Sequence, residues 1–116
     1  MSGNLGRFLE ACGASAPPQL EWVAPETGHL VRREFERPAV VVGRNPQADL
    51  VLDHPLVGRR HAYFQLVEGR LFAIDLESRH GLHWDGVPRL MGWVDRHRPV
   101  QVGATTIRVV RSCSSE

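Results

Sequence analysis

The sequence predicts an all-β fold, a sandwich of two antiparallel-rich sheets. Three observations carry that prediction: apolar and polar residues alternate with period two over short runs, turn-forming pairs interrupt those runs at close intervals, and no long amphipathic helical pattern appears. With 116 residues and 42% hydrophobic content, a single domain has enough material for a core that needs neither disulfides nor a metal.

Residues 1–19 read as an N-terminal extension, in which Leu5 to Cys12 accommodates at most two helical turns before Gly13-Ala14-Ser15-Ala16-Pro17-Pro18 ends it. The sandwich is expected over residues 20–111. Leu20-Glu21-Trp22-Val23 partly alternates, and Pro25-Glu26-Thr27-Gly28 turns the chain into a polar strand from His29 to Glu36. In that strand Arg32, Arg33, Glu34 and Glu36, with the following Arg37, read as a solvated face. Ala39-Val40-Val41-Val42 is a continuous apolar run stopped by Gly43, the pattern of a strand buried on both faces. Ala62 to Val67 and Arg70 to Leu76 flank Glu68-Gly69 and form the clearest hairpin. Further turns are expected at Asp85-Gly86 and near Gly92. Pro99 to Val102, Gly103, and Thr105 to Arg111 close the sandwich, and residues 112–116 read as a tail.

Charge narrows the function. Fourteen Lys and Arg against thirteen Asp and Glu leave a net charge of +1, too little for a general nucleic-acid binder, so any anion site is local. No apolar run approaches the ~20 residues of a membrane helix, and the start MSGNLGRFLEACG lacks a secretory apolar core, so a cytoplasmic protein is expected. Cys12 and Cys113 lack metal or redox spacing and read as free thiols, while His80 and His83 are separated by Gly81 in a loop-like stretch. Neither metal nor cofactor is expected. Asp75, Ser78 and His80 have the residue types of a catalytic triad, but no nucleophile elbow or oxyanion loop accompanies them, and no enzyme is predicted.

The residues that carry chemistry fall in three segments between strands: Val42-Gly43-Arg44-Asn45, the basic Val57 to Phe64, and Asp75 to Gly86. Loops distant in sequence can converge at one end of a sandwich. Arginine offers a planar, permanently charged fork that matches phosphate oxygens, which makes Arg44 the leading candidate. A plain ion pair between Arg44 and Asp49 is the competing structural reading.

In order and spacing, Gly43-Arg44, His61, Asp75-Leu76-x-Ser78 and Gly81, together with Asp49 to Leu52 and Arg59-Arg60-His61-Ala62, resemble the forkhead-associated (FHA) domain from about Leu20 to Val110. The resemblance implies a β-sandwich whose loops at one end bind phosphothreonine peptides. It implies that Arg44 holds the phosphate, that Arg59 adds a second cation, and that His61 supports the loops without touching phosphate. Gly43, Gly81 and Gly86 are expected to serve tight bends. Three positions depart from the family pattern: its phosphate-binding serine is Gly58, its Thr-Asn pair is Arg79-His80, and its later Asn-Gly is Asp85-Gly86. The serine's loss leaves the backbone N–H of Gly58, while Arg79 and a charged His80 add cations to the rim. Two readings follow. One is an interaction module that takes a phosphorylated partner through Arg44, Gly58, Arg59, Arg79 and His80; the other is a degenerate scaffold that mediates phosphate-independent protein assembly.

Overall fold

The computed structural model describes residues 19–35 and 37–111, which build eleven strands and two sheets. In chain order the strands are β1 (Gln19–Val23), β2 (Leu30–Glu34), β3 (Ala39–Gly43), β4 (Leu50–Val51), β5 (Ala62–Val67), β6 (Arg70–Asp75), β7 (Leu82–Trp84), β8 (Val87–Arg89), β9 (Met91–Val94), β10 (Val100–Val102) and β11 (Thr105–Arg111). One sheet runs β2-β1-β11-β10-β7-β8 and the other β4-β3-β5-β6-β9. Every pairing is antiparallel except β3 with β4. The extension before Gln19, the tail after Arg111, both cysteines and Glu36 lie outside the described residues.

Local sequence explains the hairpins. Glu68 and Gly69 both take positive φ, at 51° and 82°, as do Asp85 and Gly86, at 51° and 78°. Two successive left-handed residues are what a two-residue turn needs to match the twist of its strands. Between the sheets, Val40, Val42, Phe64, Leu71 and Ala73 meet Leu20, Trp22, Leu82, Val100 and Ile107 in one buried cluster. Alternate burial along β1, β3, β5 and β6 sends every second side chain inward.

Two expectations are corrected. The apolar run of β3 is not buried on both faces: Val40 and Val42 are enclosed, whereas Ala39 and Val41 are only half-buried, because β3 lies in a sheet with one open face. Gly92 makes no turn but lies inside β9, where a Cβ would stand 3.1 Å from the Trp84 ring; the glycine lets that ring pass beneath the strand. Trp84 is fixed there by its indole N–H, which donates to the Trp93 carbonyl at 2.9 Å. Among the described residues no helix is long and apolar enough to cross a membrane.

Candidate functional site

The three chemistry-bearing segments are hydrogen-bonded to one another at one end of the sandwich. The Arg44 N–H donates to the Gly58 carbonyl at 2.8 Å and the Asn45 N–H to the Arg59 carbonyl at 3.1 Å, which join the loop after β3 to the loop before β5. The Arg59 carbonyl comes so close that a Cβ on Gly43 would lie 2.1 Å from it. Gly43 is therefore needed for close approach and not for a bend, which corrects the sequence expectation; Gly81, with φ of 71°, does serve a bend.

The third segment is attached through His61, which is fully buried. Its Nδ1 accepts the Gly58 N–H at 2.9 Å, so Nε2 carries the ring proton and donates to the Gly81 carbonyl at 2.8 Å. The backbone of His61 is held as well: its N–H donates to the Val42 carbonyl at 2.8 Å, and its carbonyl accepts from Leu76 at 2.9 Å. A single imidazole thus spans from residue 58 to residue 81. The Asp75-Leu76-x-Ser78 motif braces the same turn. The Ser78 hydroxyl donates to Asp75 Oδ1 at 2.5 Å and accepts the Gly81 N–H at 2.8 Å, while the Ser78 N–H donates to Asp75 Oδ2 at 3.2 Å. Ser78 is thus committed to Asp75 and Gly81, with His80 outside that arrangement, so the three do not form a nucleophile–base relay.

On this frame Arg44, Arg59, Arg60, Arg79 and His80 are all exposed. Arg44 is aimed by its Nε–H, which donates to the Val57 carbonyl at 3.0 Å. Asp49 does not pair with it: Asp49 Oδ2 accepts the Val41 N–H at 2.8 Å, and Oδ1 lies 4.0 Å from Arg37. Ion pairs join Arg37 to Asp49 and Arg32 to Glu21, and no carboxylate among the described residues lies within ion-pair distance of Arg44, Arg59 or Arg79. Arg32 and Arg33 turn to opposite faces of β2: Arg32 bonds Glu21 at 3.0 Å, whereas Arg33 lies 4.4 Å over the Phe35 ring and donates to the Asp49 carbonyl at 2.6 Å, which corrects the expectation of one solvated face. Asp85-Gly86 closes the β7–β8 hairpin, at the other end of β7 from Gly81.

The structure spends the Gly58 N–H on His61, so this glycine offers space at the apex and no backbone donor, contrary to the sequence expectation. That space is usable: a Cβ at Gly58 would meet His61 Cα and Ser78 Cβ at 3.7 Å, ordinary contact, and its φ is not positive. Sequence reasoning missed the Val57 carbonyl that aims Arg44, because a backbone acceptor leaves no mark in residue type.

Comparison with known proteins places this geometry. The family model of the FHA domain matches residues 40–103. The oxoglutarate dehydrogenase inhibitor of Corynebacterium efficiens is 32% identical over 69 residues, 60% of this chain and 49% of that protein. The chain thus spans about half the length of the curated relatives it matches first. The crystal structure of Mycobacterium tuberculosis Rv1747 FHA-1 superimposes with a TM-score of 0.62 at 29% identity, covering 83% of this chain and all of that one. The yeast Dun1 FHA domain, solved with a doubly phosphorylated (pT) peptide derived from Rad53 SCD1, aligns with a TM-score of 0.64 at 19% identity, over 88% of this chain and 78% of that one.

Proposed function

The chain belongs to the FHA domain family, and on that premise we propose that it is a non-catalytic interaction module of the cytoplasm that takes hold of a phosphothreonine-bearing segment of another protein at the apex of its sandwich. One observation carries the reading: an exposed guanidinium, Arg44, is aimed by a backbone carbonyl within a hydrogen-bonded set of loops, and no carboxylate among the described residues lies within ion-pair distance of it. Arg44 forks the phosphate oxygens, Arg59 and Arg79 add charge from the two neighbouring loops, and His80 contacts the peptide beside them. Gly58 leaves the phosphate a seat without a hydroxyl. Gly43, His61 and Gly81 act on the backbone and keep the loops in register. The phosphopeptide solved with the Dun1 domain and the inhibitory role in the corynebacterial relative's name support a module that acts by binding another protein.

Calorimetric titration of a phosphothreonine peptide library against its unphosphorylated twin tests this, with Arg44→Ala alongside. Phosphate-dependent binding that falls at least tenfold in the variant is expected. Equal binding of both libraries, or binding of neither, overturns the proposal in favour of a phosphate-independent scaffold.

A further inference from the structure

Antiparallel sheets with one face in the core ordinarily turn polar side chains outward on the other face. The outer face of the β4-β3-β5-β6-β9 sheet departs from that rule beside the apex. Cross-strand register aligns Val41, Tyr63, Ile74 and Met91 in one row. The first three are half-buried and Met91 is 50% exposed, while Leu90, which leads into β9, is 72% exposed. Phe72 and Trp93 continue the apolar surface in the next row and meet edge to face at 4.9 Å. The Tyr63 hydroxyl donates to Gln65 Oε1 at 2.6 Å, so its donor is spent and the residue presents its ring.

Position ties this row to the apex. Val41, Tyr63 and Ile74 stand two residues, about 7 Å, from Gly43, His61 and Leu76, where the three apex segments leave or enter the sheet. Asp75 joins the two surfaces directly: its carboxylate holds the Ser78 turn that carries Arg79 and His80, and its N–H donates to the Leu90 carbonyl at 2.7 Å. A chain whose phosphothreonine is held at Arg44 needs about four extended residues, at about 3.3 Å each, to pass from the apex to this row. The row itself, about 14 Å from β3 to β9, takes four or five more. A second copy fits less well, because four strands and two rows of side chains give roughly 250 Å² of apolar area, whereas a stable dimer takes about 800 Å² from each partner.

We propose that a partner held at the apex by its phosphothreonine also lays a flanking apolar segment of the same chain across Val41, Tyr63, Ile74, Leu90 and Met91. This rests on the phosphothreonine reading of the apex and adds a second contact to it, one that selects large aliphatic or aromatic side chains four or more residues from the phosphothreonine. Met91, flexible and polarisable, adapts to side chains of different shape.

Two phosphothreonine peptide libraries test this on the full chain, one degenerate over three residues on each side of the phosphothreonine and one over ten. The long library is expected to be enriched in Leu, Ile, Met or Phe at least four residues from the phosphothreonine, and its best peptide to bind about tenfold more tightly than the same peptide cut to three flanking residues. Leu90→Glu with Met91→Glu, both at exposed positions, is expected to remove that gain and leave the affinity of the cut peptide unchanged. In amide NMR spectra the long peptide, and not the cut one, is expected to shift Val41, Tyr63, Ile74 and Met91. No enrichment beyond three residues, or a gain that survives the double variant, overturns the proposal while binding of the short library upholds the phosphothreonine reading; failure of both libraries to bind overturns the two together. Shifts of the same amides on concentrating the protein without peptide assign the face to a second copy and overturn the proposal as well.

Discussion

Restoring a hydroxyl at residue 58 tests how the apex handles phosphate. In Gly58→Ser the new Cβ stands 3.7 Å from His61 Cα and Ser78 Cβ, and the backbone there has no positive φ, so the side chain enters without displacing a loop. The Gly58 N–H keeps its bond to His61 Nδ1, and the added hydroxyl is the only new donor. A hydrogen bond to a charged oxygen contributes about 1.5–3 kcal/mol, so affinity for a phosphothreonine peptide should rise roughly tenfold to more than a hundredfold. Fluorescence anisotropy with matched phosphorylated and unphosphorylated peptides reads the effect. Gly58→Ala separates it from stiffening of the loop, since both substitutions restrict the backbone and only serine donates. If serine improves binding no more than alanine does, or improves the unphosphorylated peptide equally, the reasoning about this position is refuted.

Further predictions concern the frame and the field around it. Gly43→Ala should lower stability by about 1–3 kcal/mol, seen as a drop in Tm, and weaken phosphopeptide binding with it, because the methyl group collides with the Arg59 carbonyl that receives the Asn45 N–H. His61→Ala leaves the Gly58 N–H and the Gly81 carbonyl without their buried partner; at about 1–3 kcal/mol for each group, a loss of roughly 2–6 kcal/mol is expected in chemical denaturation. Arg79→Ala should reduce phosphopeptide affinity severalfold and make it less sensitive to salt, as measured by titration between low and physiological ionic strength, whereas Arg32→Ala, on the face already paired with Glu21, should leave both unchanged.

Much of the fold was legible in the sequence because its signals are local. Gly69 and the pair Asp85-Gly86 announce their hairpins through residues that tolerate positive φ, and alternation in β1, β5 and β11 sets which side chains face inward. Where the reading failed, the deciding contact came from elsewhere in the chain. Ala39 to Val42 looks the same whether one face or both are covered, and only the open outer side of its sheet decides. Gly92 resembles a turn residue until the Trp84 ring is seen against it. The two-residue β4 is too short to carry any periodicity, and it exists through parallel pairing with Val42 and Gly43.

For the site, residue type nominated Arg44, because charge and hydrogen-bonding capacity belong to the side chain itself, and the resemblance to the FHA family added Arg59, Arg79 and His80. Whether those cations share one apex, and whether an acid cancels them, depended on contacts across long stretches of chain. His61 bridges residues 58 and 81, the Val57 carbonyl aims an arginine thirteen positions away, and Asp49 turns to the Val41 N–H instead of Arg44. Backbone acceptors and close approaches of main chain leave no signature in amino-acid identity, so the sequence determined which groups were present, and the packing of the loops determined what each was free to bind.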